Sequence, residues 1–414
     1  MSRIIAIASI ILFFFISCEE KILEITPSNQ NTGPESGSII FTIKSNTDWT
    51  VTDDVSWMTV SPVSGSGNGT ITATCLQNTL ATARTATITI SGAGVSPQNI
   101  TVTQDAASGA GISITWTQKA AMPTARGFIP PSASVVNDKI YIIGGTSGTD
   151  IFDAVEEYDP STDSWTLKSP LSNPRWGHSS DTVGGKIYVM GGCLTLTGDA
   201  TNTIEVYDPV LDEWESGGLM PTGRIGFGSC VAGGKIYVMG GRVAEPGGDY
   251  LNSVDVYDTA TDTWESLSPM PEAKGYFTAT STGNYIYAIG GIMMGGAGAG
   301  EDAVFKYSIA YNTWSHTTSL KQARWGIASC LADTVIVCVG GYTGPTDQGQ
   351  RTVELIFTER DNVVMVNNMI NSKAACSVCM VNDKIYVLGG TKYSQPIYQG
   401  INIVEEGVVS VNGD

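Results

Sequence analysis

Histidine is almost missing: His178 and His316 are the only two in 414 residues, and they stand far apart in the chain. A Ser-His-Asp arrangement or a multi-histidine metal centre therefore has almost no material, and neither a metal nor a cofactor is expected. Positive charge is scarce as well, with 22 Lys and Arg against 40 Asp and Glu and a formal net charge of −18. That sign repels phosphate backbones and anionic lipid, which argues against nucleic acid or a membrane surface as a partner. No stretch has the period of a helix, and the longest apolar run, residues 4–16, is too short to span a bilayer comfortably. The eight cysteines lack a disulfide framework spacing. Cys376 and Cys379 fall in a predicted strand, where positions three apart point to opposite faces, so the cysteines read as small buried apolar side chains rather than a zinc or redox site.

What the chain does have is a repeat. Tryptophans stand at 116, 165, 214, 264 and 314, with Val363 in the sixth place, at steps of 49 or 50 residues. Ten positions after each comes a basic residue: Arg126, Arg175, Arg224, Lys274, Arg324 and Lys373. A diglycine follows each time, at 144–145, 191–192, 240–241, 290–291, 340–341 and 389–390. Six copies of one unit are implied. Runs such as KIYVM and TIEVY are β-rich and are separated by turn residues, so each unit reads as four short strands. A sheet of that size cannot bury both faces alone. The copies must pack face to face in a ring, which predicts an all-β propeller. The segment SITWT, residues 113–117, matches only the last strand of a copy, and the sixth copy lacks that strand. Pairing the two chain ends would complete the last blade and remove an open edge.

The phrases EVYDP, MPTGR and KIYVMGG resemble the Kelch repeat over residues 113–410, which implies a six-bladed Kelch β-propeller. The fifth copy departs most, with Ile356 and Val363 where Tyr and Trp stand in the first four. Ahead of the ring, residues 22–105 are rich in Thr and Ser and alternate as short strands, the pattern of a small β-sandwich. SNTDWTVTDDVSWMTV and RTATITISGAG resemble the BACON domain, an immunoglobulin-like module of Bacteroidota glycan-processing proteins. Trp49 and Trp57 could stack on sugars, but they read as structural residues of that fold. Residues 106–112 form a Gly/Ser/Ala linker.

Residues 1–17 read as an export signal, with one early Arg and a short apolar core. Phe15 and Ser17 directly precede Cys18, which resembles a bacterial lipoprotein signal with Cys18 as the lipidated residue and residues 18–21 as an acidic export tag. The expectation is an outer-membrane lipoprotein, on the cell surface or the periplasmic side, held to the membrane through the lipid alone and otherwise a monomer.

In an up-and-down blade, the loop leading into the first strand and the loop joining the second strand to the third share a face, and both carry the irregular sequence here. Kelch propellers commonly bind through this face. The lead-in loops hold the basic comb with Trp176 and Trp325 beside it, three copies apart and so on opposite sides of the mouth. A cationic ring with two indole walls suits a carbohydrate, including one that carries a carboxylate. The ligand-binding candidates are therefore Arg126, Arg175, Trp176, Arg224, Lys274, Arg324, Trp325 and Lys373. The competing role for the basic comb is pairing with acids of a neighbouring blade. A second functional class follows from a resemblance to the sialic-acid mutarotase or epimerase family, exported Kelch propellers that open a sugar ring by acid and base. Arg351 in GQRTVELIF sits where that family places an Arg, although Tyr342 follows the diglycine where the family has a Gly-Glu context. Glu245 and Asp347 are the nearest mouth carboxylates. A protein-interaction platform is the third class.

Overall fold

In the computed structural model, residues 20–33, 36–76, 78, 83–105, 112–293, 298–394 and 397–411 are described. The predicted signal, Cys18 and most of the predicted linker lie outside them. The chain divides into two compact units, residues 1–110 and 111–414. No helix among the described residues is long and apolar enough to cross a membrane.

The first unit consists of a four-stranded and a five-stranded sheet. Strands such as Gly37–Ser45 and Arg84–Gly92 alternate buried and outward residues, and Phe41, Ile43, Ile71, Ile88 and Val102 meet in one core. Trp49 is part of that core, and its indole N–H donates to the Gly67 carbonyl at 2.8 Å. Trp57 is half-buried beneath the Arg84 guanidinium, 4.2 Å from its ring centre. Both tryptophans are held by the fold.

The second unit contains six four-stranded antiparallel sheets. Their first strands touch one another in a closed cycle, from Ser134–Val136 through Ser179–Val183, Gly228–Ala232, Thr278–Ser281, Ala328–Ala332 and Ser377–Val381 back to the start. The chain ends complete the last sheet: Ile112–Lys119 pairs along its whole length with Val404–Val411. Among the described residues, no strand is left without a partner at this junction.

The repeated residues are the ring's fasteners. In the first four copies a tyrosine on the third strand stacks against the comb tryptophan on the fourth, with ring centres 4.8–5.0 Å apart. The same tyrosine hydroxyl donates to the side chain that turns the hairpin between them, as Tyr158 does to Asp163 at 2.6 Å and Tyr307 to Asn312 at 2.8 Å. Indole N–H groups then tie neighbouring sheets, as Trp165 donates to the Ala120 carbonyl and Trp314 to that of Ser268. In the fifth copy Ile356 and Val363 fill this space by apolar packing instead, and strands Val353–Phe357 and Asn362–Val366 remain fully paired.

Candidate functional site

The basic comb lies inside the walls of the ring. All six of its side chains are 0–1 % exposed. Each of five meets a carboxylate on the third strand of its own blade: Arg126 with Glu156 at 2.9 Å, Arg175 with Glu205, Arg224 with Asp255, Arg324 with Glu354 at 2.5 Å, and Lys373 with Glu405 at 3.6 Å. The guanidinium groups of Arg175, Arg224 and Arg324 also donate to the carbonyl of the first glycine in their own diglycine, at 2.8–3.0 Å. The comb carbonyls accept an N–H from the second glycine of the preceding copy, Gly145 to Arg175 and so on around to Gly390 and Arg126. This explains why the two combs run in step. A Cβ on Gly144 would stand 2.7 Å from the Arg175 carbonyl oxygen, so the backbone can approach only where no side chain intervenes.

The expectation that the six comb residues grip a ligand is therefore corrected. Side chains with no accessible surface are out of reach of a molecule in the mouth, even where, as at Arg126, Arg175, Lys274 and Arg324, a buried N–H has no hydrogen-bond partner. The expected partner was also misplaced, because the acids belong to the same blade rather than the next.

Above these struts runs a backbone belt. Phe128 N–H donates to Ala375, Ala375 to Gly326, Gly326 to Tyr276, Tyr276 to Gly226, Gly226 to Gly177 and Gly177 back to Phe128, at 2.6–3.0 Å. The six residues close a hydrogen-bonded circle around the axis, and each has a positive φ between 46° and 63°. Four of them are Gly or Ala. The other two, Phe128 and Tyr276, come from the first and fourth copies and meet edge to face with ring centres 6.1 Å apart. They wall both the mouth cavity and a small chamber beneath the belt, so they form a floor between the two.

The mouth cavity holds about 480 Å³. Trp176 and Trp325 both line it, each with only 7 % of its surface exposed and its indole N–H spent on a loop carbonyl, Thr195 and Gly298 respectively. Phe128 bridges Trp176 and Tyr276, and Tyr276 reaches Trp325, which makes a continuous aromatic line across the mouth. The faces with more surface belong to Phe128, Tyr250, Tyr276 and Tyr398, all half-buried.

Glu245 also walls this cavity. The short strand Ala244–Glu245 pairs with Gly198–Asp199 of the preceding copy, which fixes its backbone. Its carboxylate accepts from the Arg242 guanidinium at 2.6 Å and from the Tyr276 hydroxyl at 3.0 Å. Arg242 in turn lies over the Tyr250 ring, 4.9 Å from its centre. Burial, and then the neighbouring Glu245 charge, raise the Tyr276 hydroxyl pKa well above its ordinary value, so this phenol stays a donor. The other two carboxylate-and-arginine candidates are elsewhere. Asp347 is absorbed by its own loop, accepting from the Thr343 N–H and hydroxyl at 2.9 and 2.7 Å, and Arg351 is exposed; neither walls the cavity.

Arg242, Tyr250 and Tyr398 are site residues that sequence reasoning missed. A signal was available for Arg242, because the residue after each diglycine bridges to the residue after the comb base: Trp176 to Cys193, Ile225 to Arg242, Trp325 to Tyr342. That register brings the post-glycine position to the mouth end of each blade, and in three copies, at Thr146, Arg242 and Ile292, it walls the cavity.

Below the belt the axis changes character. His178 is buried there, and burial, helped by the Arg175 charge, lowers its imidazole pKa to about 3, so the ring is neutral. Further along the first strands a cavity of about 330 Å³ is walled by Ser134, Ser180, Thr280, Ser329 and Asp181. His316 sits on the outer strand Thr313–Arg324 with its ring edge against Phe305. All seven cysteines after Cys18 are buried and free. Among the described residues, no three His, Cys, Asp or Glu side chains are grouped to hold a metal.

Comparison with known proteins agrees with this architecture. The family model of the Attractin/LZTR1 β-propeller matches residues 114–350, more than half of the chain, and that of the viral BACON domain matches residues 22–107. β-Scruin of Limulus polyphemus is 39 % identical over 88 residues, 21 % of this chain and 9 % of that protein. The F-box/kelch-repeat protein At1g67480 of Arabidopsis thaliana is 42 % identical over 64 residues, 15 % of this chain and 17 % of its own. This chain thus spans less than a fifth of either relative. The solved structure of YjhT superposes with a TM-score of 0.59 at 17 % identity, over 71 % of this chain and 99 % of that one, a likeness of fold.

Proposed function

Since the chain belongs to the Attractin/LZTR1 β-propeller family, Kelch-repeat rings that serve as binding scaffolds, we propose that its mouth cavity binds a carbohydrate. The observation that carries this reading is the pairing of half-buried aromatic faces with one fixed arginine–carboxylate pair in a cavity of about 480 Å³. That volume is within the range of small-ligand sites, about 300–1,000 Å³. Aromatic faces suit the C–H face of a sugar ring, and a carboxylate and a guanidinium are planar partners for its hydroxyls.

The test is a glycan array probed with the full chain and with Tyr250→Ala, which removes an aromatic face without touching the ring's struts. The expected outcome is retention of a defined glycan set by the wild type and a loss of about tenfold, about 1.4 kcal/mol, in the variant. Retention of nothing, or equal retention by both proteins, would sink the proposal. A second reading, interconversion of sugar anomers, rests on the Tyr276 hydroxyl and the Glu245 carboxylate lying 3.0 Å apart at the cavity. NMR exchange measured on any retained sugar decides it: an exchange rate unchanged by the protein leaves binding alone.

From the short apolar run before Cys18 we also propose that the protein is exported and anchored through Cys18. A fatty-acid analogue should label the wild type, and Cys18→Ala should be unlabelled and released in soluble form. Label persisting in that variant would refute the anchor.

A further inference from the structure

The belt contains an anomaly that packing alone does not require. Six residues occupy one left-handed backbone position, which glycine takes without steric cost and which any Cβ strains. Three copies comply, with Gly177, Gly226 and Gly326, and the sixth has the smallest side chain, Ala375 at φ 46°. The first and fourth copies place Phe128 and Tyr276 there, at φ 49° and 52°. The neighbours are cut to fit: a Cβ on Gly226 would stand 2.7 Å from the Tyr276 ring. Strain of this kind collects where a side chain is needed at one spot. The two rings lie opposite each other across the axis and make the cavity floor.

The charge in the mouth is the second observation. Arg242 is the only cation that walls the cavity among the described residues, and Glu245 already neutralises it at 2.6 Å. The six comb bases are sealed behind the wall. The chain as a whole carries a formal charge of −18. An anionic sugar entering this mouth meets no free positive charge and a net negative field, and to gain a guanidinium it must break an existing pair.

Resting on the carbohydrate reading above, we propose that the site selects an uncharged pyranose end and rejects sugars bearing a carboxylate. The ring lies on the Phe128–Tyr276 floor. Its hydroxyls donate to the Glu245 carboxylate and accept from Arg242, and these two side chains are held in place by Tyr276 and Tyr250. The Tyr276 hydroxyl thus acts as a positioning group for Glu245, and its ring as a platform.

The belt supplies a clean test, because glycine is the residue its geometry favours. Phe128→Gly can keep every belt hydrogen bond and relieves the strained φ, which offsets part of the lost ring contacts with Trp176, Tyr276 and Tyr398, so the variant should stay folded with a lower melting temperature. Tyr276→Phe keeps the platform and frees Glu245. The full-length proteins are compared on an array bearing matched pairs, glucose- against glucuronate-terminated and galactose- against sialic-acid-terminated glycans. The expected result is retention of the neutral member, its acidic partner weaker by about tenfold or more, and a loss of similar size in Phe128→Gly. Tyr276→Phe should weaken neutral-sugar binding severalfold with unchanged melting. Equal or stronger binding of the acidic partners overturns the neutral selectivity while leaving the carbohydrate reading intact, whereas retention of no glycan at all removes the carbohydrate reading itself. Full binding by Phe128→Gly, or its unfolding, shows that the ring serves packing and overturns the platform. Full binding by Tyr276→Phe overturns the positioning role.

Discussion

Five blades and the fourth solve the same problem differently. In five, a buried base meets a buried carboxylate, and the carboxylate often does further work: Glu205 accepts the Ser172 N–H, Glu354 that of Lys321, and Glu405 those of Ile370 and Asn371. Each pair therefore pins a lead-in loop to a third strand. In the fourth blade, Phe305 stands where the others have Glu or Asp, and Lys274 is buried with no hydrogen-bond partner for its ammonium. Aromatic faces lie against it, Phe305 at 4.9 Å and Phe277 at 5.5 Å from the ring centres, and the carboxylates of Glu272 and Glu301 act on it without a hydrogen bond. A charge taken out of water needs a partner, and a quadrupole compensates it far less than a carboxylate does. The contrast shows that the ring needs a long side chain in this slot more than it needs an ion pair.

The comparison is sharpest where removing one partner strands the other. Arg175→Met leaves the Glu205 carboxylate buried without its guanidinium and cuts the donor to the Gly191 carbonyl. Chemical denaturation should show a loss of about 3–5 kcal/mol, while the double variant Arg175→Met with Glu205→Met recovers most of it. A single variant as stable as the wild type would mean that the strut is ornamental and that the ring is held by its strands alone.

This difference also marks what a reader of the sequence can and cannot see. The Trp, base and diglycine combs announce six units because a ring forces equivalent contacts to recur at equal spacing, and the split last sheet follows from the orphan strand at residues 113–117. The role of the comb bases was not legible, since a base at a regular interval serves a ligand or a strut equally well. The deciding clue lay about 30 residues on, where Glu205, Asp255 and Glu354 form an acidic comb in step with Arg175, Arg224 and Arg324. A base and an acid that recur together point inward. The mouth was less legible for the opposite reason: Arg242 stands at a recurring position whose residue type does not recur, Tyr250 and Tyr398 obey no period, and only the folded ring brings their loops together around one cavity. Trp176 and Trp325 were visible as a pair because they share a phase and differ from their counterparts Gly127, Ile225, Gly275 and Ala374.

The fourth blade yields the pH-dependent half of the comparison. Burial lowers the Lys274 pKa from 10.5 to about 8, offset only in part by Glu272 and Glu301 nearby. Below pH 8 both folded and unfolded chains carry the proton, and the fold bears the whole cost of an unpartnered ammonium. Between about 8 and 10.5 the folded chain releases its proton first, the unfolded chain holds more protons, and stability rises with pH. Above that window both states are neutral and the cost is gone. The displacement corresponds to about 3 kcal/mol. Lys274→Met, which keeps the length and discards the charge, should therefore stabilise the protein at pH 7 by up to about 3 kcal/mol, with the gain fading as the pH passes 10. Its sign is opposite to that of Arg175→Met, and denaturation curves at pH 7 and pH 10 measure it directly. If Lys274→Met destabilises the ring at pH 7 as Arg175→Met does, the aromatic pocket compensates an ammonium as fully as a carboxylate would, and the fourth blade is no exception.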